Sequence, residues 1–327
     1  MLWLSVLRRF HSSCHPLPPP LEASDGSLSA WTAVPITKKR LNLTTYVPAK
    51  PGATAVDALV IGDSYADDID MGYSCWPSIL GRMRGWSVLN AARGGSIAGQ
   101  AISQYERAVE FAEAEHLQVG VSTLCIVHLG GNNLLHALWL GPVAIALLLI
   151  DVLFLGLGLV GVTERLGSLP RFSFASVLAR WILSDLGCLV RFLAGKGHRR
   201  VLVSGLPLCA EVPTMRVVVG LFVWPLSLPS LVLRGNLQLC SDAISAISTE
   251  FAALAQAAIA AHLRAEAGGA GVELLFFDEA AAMMQVCDDS RRQRRRAFKD
   301  GHHPNAGAHV EIAAHANRLF DTQMSSS

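Results

Sequence analysis

Ser64, Asp300 and His303 have the types and settings that serine chemistry needs. Ser64 follows an apolar run, Ala58-Leu59-Val60-Ile61, that stops at Gly62-Asp63. Far downstream, Asp300-Gly301-His302-His303-Pro304-Asn305 stands just before the C-terminal helical stretch. A serine at the end of a buried strand, with Asp-x-x-His elsewhere in the chain, has the ingredients of nucleophile, base and orienting carboxylate. In that scheme Ser64 supplies the hydroxyl, and His303 takes its proton and returns it to the leaving alkoxide. Asp300 holds the imidazole tautomer. Attack on an ester puts negative charge on the carbonyl oxygen, so fixed donors are needed as well. The turn Arg93-Gly94-Gly95 can aim a backbone N–H into the site, because glycine tolerates close approach and unusual dihedrals. Asn132 adds a side-chain amide. Gly-Asp-Ser arises by chance in roughly one chain in ten of this length, and Asp-x-x-His-Pro-Asn in about one in a thousand. The histidine half therefore carries most of the specificity.

These residues need elements to hold them. Short apolar runs at Ala58 to Ile61, Ser87 to Asn90, Thr123 to Leu129, Arg200 to Ser204 and Val272 to Phe277 predict strands. Helical stretches lie between them, most clearly Ala101 to His116, Ala175 to Leu193 and Leu239 to Ala265. Near-continuous apolar strands separated by helices imply a parallel sheet covered on both faces. In such sheets ligands bind beyond the carboxyl ends of the strands. Ser64 follows the first strand, Gly94 and Gly95 the second, and Gly130 to Asn133 the third, so the chemistry gathers at that edge.

The other residues of note have plainer expectations. His128, inside a strand run, reads as a bonded core histidine. Asp67, Asp68 and Asp70 form an acidic cluster with no histidine at ligand spacing, so no metal is expected, and Asp67 is expected to bond the loop after Ser64. Ser96 nearly mimics a Gly-x-Ser-x-Gly elbow but lacks its last glycine, and reads as a helix cap. Seven cysteines are spread singly, which argues against a disulfide framework and a zinc site, and Cys125 reads as a small buried hydrophobe.

The composition sets bounds. With 327 residues and a net charge of +1, the chain can bury a full core and has no global field to draw nucleic acid. Hydrophobic residues make up 51% and charged residues only 16%, with a mean hydropathy of +0.38. One domain over residues 55–322 is the simplest division, with 1–54 as leader and linker and 323–327 as a tail. Met1 to His15 holds Arg8 and Arg9, and no acid precedes Glu22, which suits an organellar transit peptide (mitochondrial or plastid). An organellar or membrane-associated location is favoured over a secreted one.

Two apolar inserts, about 137–163 and 217–233, account for much of the greasiness. The first has a single charge, Asp151, and the second is interrupted by Pro225 and Pro229. A simple membrane span conflicts with the strand at Arg200 to Ser204, which lies between them. Asp151 at mid-bilayer would also cost about 2.5–3.5 kcal/mol. The expectation is a hydrophobic helical pair beside the site that covers an acyl chain or dips into one leaflet; two ordinary buried helices are the plainer alternative. The run Arg291 to Arg296 reads as a solvated loop, with contact to an anionic head group as the sharper alternative.

Gly62-Asp63-Ser64, the glycine turn after the second strand, Gly130-Gly131-Asn132-Asn133 and Asp300…His303 together resemble the four blocks of the SGNH (GDSL-type) hydrolases. More narrowly, Gly62-Asp63-Ser64-Tyr65-Ala66-Asp67, Cys75-Trp76-Pro77 and Asn90-Ala91-Ala92-Arg93-Gly94-Gly95 resemble the plant and fungal GDSL lipase and acylhydrolase branch. The likeness spans about residues 56–316. It implies an α/β fold, a flavodoxin-like three-layer α/β/α sandwich on a central five-stranded parallel sheet, with the hydrophobic helical inserts added. It also implies ester hydrolysis without a cofactor or metal. By position, Ser64 is the nucleophile and also donates its N–H, Gly95 and Asn132 complete the oxyanion hole, and Asp300 and His303 finish the triad. Asn133 stands where the third block normally ends in aspartate. Gly94 is the alternative to Gly95, and spacing together with Pro304-Asn305 favours His303 over His302.

The expected function is that of a serine ester hydrolase acting on small-molecule or lipid esters through an acyl-enzyme on Ser64. Peripheral membrane contact through the inserts is expected and nucleic acid is not. The rival enzyme is a carbohydrate O-deacetylase, which wants a shallower, more polar rim. The rival of another class is a catalytically silent, membrane-associated binding protein, with Asn133 as the only feature in its favour.

Overall fold

A computed structural model describes residues 44–133, 174–205, 256–257, 259–286, 297–300 and 302–324. The leader through residue 43, the apolar inserts 137–163 and 217–233, and the arginine run 291–296 lie outside the described residues. The helical stretch expected at Leu239 to Ala265 lies mostly outside them.

The strands are β1 (Thr45–Val47), β2 (Ala55–Gly62), β3 (Val88–Asn90), β4 (Gln118–His128), β5 (Arg200–Ser204) and β6 (Glu273–Phe277). Among the described residues they form one six-stranded sheet in the order β1-β3-β2-β4-β5-β6. Leu59, Val60 and Ile61 of β2 and Cys125, Ile126 and Val127 of β4 are fully buried, as parallel strands covered on both faces require. Each large apolar side chain so buried contributes about 1.5–3 kcal/mol.

The five strands expected from the sequence run parallel, and an antiparallel strand joins them at one edge. β1 pairs antiparallel with β3, Thr45 opposite Asn90 and Val47 opposite Val88, so the sheet is mixed. Its few half-buried residues carry too short a pattern to predict a strand, and Tyr46 anchors it by donating its hydroxyl to the Ala53 carbonyl at 2.7 Å. β4 also begins earlier than its apolar run: Gln118 and Val119 pair with Ala55 and Val56, and a register shift then separates them from the main ladder, which resumes at Leu124.

Among the parallel strands the order is β3-β2-β4-β5-β6. From β2 the chain passes to β3 on one side and later to β4 on the other, a reversal that opens a crevice at the carboxyl ends of β2 and β4. Gly62 pairs with His128 and Val127 with Val203, so three strands end at one level there.

The helices are α1 (Asp68–Met71), α2 (Trp76–Arg84), α3 (Ala101–Ala114), α4 (Phe174–Gly195), α5 (259–270), α6 (Glu279–Val286) and α7 (Ala306–Met324). α7 packs on α2 and α6, and α3 packs on α4 and β2. Tyr105 of α3 meets Phe192 of α4 edge-on, with ring centres 5.3 Å apart. Among the described residues, no helix is long and apolar enough to cross a membrane.

Candidate active site

β2 ends at a glycine because nothing larger fits. A Cβ on Gly62 would lie 2.7 Å from the Ala66 Cβ and 3.2 Å from the His128 carbonyl oxygen. The Gly62 peptide is gripped by Gln104 of α3, whose Oε1 accepts its N–H and whose Nε2 donates to its carbonyl, both at 2.9 Å. The chain then turns sharply. Ala66 donates its N–H to the Asp63 carbonyl, and Tyr65 donates its N–H to Asp63 Oδ1 at 3.1 Å. Ser64 sits on that turn, 7% exposed.

Ser64, His303 and Asp300 are joined in one chain of hydrogen bonds. Ser64 Oγ lies 2.9 Å from His303 Nε2, and His303 Nδ1 lies 2.7 Å from Asp300 Oδ2. The other Asp300 oxygen accepts the backbone N–H groups of His302 and His303 at 3.0 and 2.8 Å. One carboxylate thus fixes both the ring and the backbone that carries it. Burial alone would raise the Asp300 pKa, but hydrogen bonds and the charge of His303 outweigh it and hold the carboxyl well below its usual range. His302 takes no part in this chain; its ring lies edge-on to His303, and burial pushes its pKa down.

The glycine turn divides its two N–H groups. Gly94 donates to Asp67 Oδ2 at 2.9 Å. Gly95 adopts φ +78°, a left-handed conformation that favours glycine. Among the described residues, neither the Gly95 N–H nor the Ser64 N–H has a hydrogen-bond partner. The two asparagines after β4 bind the segment that follows the turn. Asn132 Nδ2 donates to the Ser96 carbonyl at 3.0 Å, which uses one of its two amide hydrogens. Asn133, fully buried, accepts the Ala98 N–H on Oδ1 at 2.9 Å. Asparagine supplies the acceptor as aspartate would, while its Nδ2 has no partner among the described residues.

Two smaller expectations are settled. Asp67 does bond the loop after Ser64, accepting the N–H groups of Ile69 and Asp70 as the N-cap of α1 while also holding Gly94. Ser96 is not a helix cap: its hydroxyl accepts Gln104 Nε2 at 2.8 Å, and the short 3₁₀ turn starts only after Ile97. A cap would leave Gln104 one partner short inside the core.

Beneath Ser64 lies a buried polar chain. His128 Nδ1 is 2.9 Å from Asp63 Oδ1, and its Nε2 is 2.6 Å from Glu279 Oε2, out of line for a straight hydrogen bond. Ser204 donates its hydroxyl to the same Glu279 oxygen. Burial pushes the His128 pKa down, yet the charges of Glu279 and Asp63, with the hydrogen bond to Asp63, override it and raise it well above the ordinary value. Sequence reasoning reaches His128 as a core histidine but misses Gln104 and Glu279. A glutamate at the start of a helix ordinarily signals favourable placement near the helix dipole, and this one is fully buried instead.

A hydroxyl against one imidazole nitrogen, with a carboxylate against the other, can pass its proton to the ring as the oxygen attacks. The carboxylate then stabilises the imidazolium. In comparisons with known proteins, no family model matches the chain, and no curated protein matches it.

Proposed function

We propose that the chain is a serine ester hydrolase that cleaves carboxylic esters through an acyl-enzyme on Ser64. The observation that carries this is the Ser64–His303–Asp300 chain at 2.9 and 2.7 Å, seated at the carboxyl end of β2 where the strand order reverses. The resemblance of the four sequence blocks to SGNH hydrolases supports it. So does the order of the parallel strands, 2-1-3-4-5 when they are counted along the chain, which is that of flavodoxin-like sheets. In the proposed three-layer arrangement, α2, α6 and α7 cover one face and α3, α4 and α5 the other.

The chemistry runs in two halves. Ser64 Oγ attacks the ester carbonyl as His303 Nε2 takes its proton. The oxyanion receives the N–H groups of Ser64 and Gly95 and the remaining amide hydrogen of Asn132. His303 then protonates the leaving alkoxide. Water attacks the acyl-enzyme by the same route in reverse, and the acid departs. Each oxyanion donor contributes about 2.7–4 kcal/mol to the transition state. Lipid or otherwise acylated substrates suit a chain with so high an apolar content.

The test is hydrolysis of short and long p-nitrophenyl esters, with Ser64→Ala as control. Activity in the wild type that vanishes in the variant is expected. A preference for long acyl chains separates a lipase from a sugar deacetylase. Hydrolysis that survives in Ser64→Ala, or a folded wild type inert toward every ester, contradicts the proposal.

A further inference from the structure

His303 lies on a segment whose internal hydrogen bonds shape it but do not attach it to Ser64. Lys299 donates its N–H to the His303 carbonyl, and Asn305 donates to the Ala297 carbonyl, both at 2.8 Å. Attachment comes from two tyrosines. Tyr65 donates its hydroxyl to the His302 carbonyl at 2.6 Å, and Tyr73 donates to the Pro304 carbonyl at 2.5 Å. The acceptors are the residues immediately before and after His303. Both donors belong to the stretch that begins with Ser64.

We infer that Tyr65 and Tyr73 are positioning residues that hold the His303 imidazole on Ser64 by pinning the backbone on either side of it. This rests on Ser64 and His303 being the reacting pair. The Tyr65 ring is itself immobilised. It is 2% exposed, stacks on His128 at 5.4 Å with planes 10° apart, and meets the His302 ring edge-on at 5.5 Å. His128 is held in turn by Asp63, which precedes Ser64. The buried polar chain thus braces the tyrosine that braces the histidine loop. Tyr73 follows α1, which Asp67 caps, and burial pushes its hydroxyl above the ordinary pKa so that it stays a donor. Lys299 adds a third tie, from its Nζ to the Met71 carbonyl at 3.2 Å.

A misplacement of about 1 Å at a reacting pair can cost on the order of a hundredfold in rate. Phenylalanine keeps each ring and removes only the hydroxyl, so Tyr65→Phe, Tyr73→Phe and the double variant are the test. The measurements are kcat and KM on a p-nitrophenyl ester, the thermal unfolding midpoint, and the low-field NMR proton of the His303–Asp300 bond. Each single change is expected to lower kcat about tenfold and the double about a hundredfold. KM should stay constant, the double variant should unfold cooperatively, and its low-field proton should broaden. A double variant with wild-type kcat overturns the inference, as does a rise in KM at constant kcat. If the wild type hydrolyses no ester, the hydrolase proposal fails by itself. The NMR signal then decides the tyrosines' role, and an equally sharp proton in both proteins overturns it.

Discussion

The Asp67 carboxylate accepts the Gly94 N–H at 2.9 Å, and in doing so separates the roles of two adjacent glycines. Gly94 is committed to the scaffold. The N–H of Gly95 has no partner among the described residues, and its φ of +78° is the conformation that glycine permits at little cost.

That division predicts different outcomes for two alanine variants. A Cβ on Gly95 meets nothing within 4 Å, so Gly95→Ala acts through the backbone alone. Forcing alanine into the left-handed region costs about 1–2 kcal/mol, and relaxing out of it turns the N–H away. We expect kcat to fall about a hundredfold, as for a lost oxyanion donor. In Gly94→Ala the new Cβ crowds the Asp70 carboxylate, which can shift, and the kcat loss should be smaller. Steady-state kinetics on both variants checks this; a larger kcat loss in Gly94→Ala contradicts it.

The Asp63–His128–Glu279 chain predicts a stability effect. His128→Ala leaves two buried carboxyl groups without the cation between them, and breaking a buried pair costs about 3–5 kcal/mol. Urea unfolding at neutral pH measures it, and a loss under about 0.5 kcal/mol, the range of neutral surface changes, refutes it. The sign with pH follows from the raised folded pKa of His128. Its contribution is fully present below the unfolded value of 6.5 and is lost as pH rises through the folded value.

His309 predicts the opposite slope. Burial, with the nearby charges of His128 and His303, holds its pKa down to about 3, while its Nδ1 accepts the Trp76 N–H at 3.2 Å. The unfolded chain binds a proton there below 6.5 and the folded chain does not until about pH 3. Stability therefore falls as pH drops through that window. The difference between wild-type and His309→Gln unfolding free energies should shrink as pH falls from 6.5 toward 3. A difference that stays constant across the window rejects the buried neutral imidazole.

What was legible in the sequence follows from how local each signal is. β5 and the second half of β2 appear as continuous apolar runs because both faces are covered there; the run predicts β5 closely and β2 only from Ala58 to Ile61, since Ala55 and Asp57 are exposed. β1 and the exposed first half of β4 carry no such run, since solvent takes one or both sides of their chains. Ser64, Asp300 and His303 stand out because each lies in a short motif whose spacing reflects the chemistry. Gln104, Glu279, Tyr65 and Tyr73 do not. Their partners are set by the sheet order and lie far away in sequence, so a buried glutamine on α3 looks like any polar helix residue. The turn after Ser64 was partly legible, because Asp67 is a good N-cap type; its second bond, to Gly94, becomes visible only once β2 and β3 are paired.

In the proposed mechanism Ser64 is a nucleophile activated by His303. The most direct test of this is covalent labelling with a fluorophosphonate, read by peptide mass spectrometry. One adduct is expected, on the peptide that carries Ser64, absent in Ser64→Ala and strongly slowed in His303→Ala. A folded protein that takes no label, or an adduct on another serine such as Ser96, contradicts it.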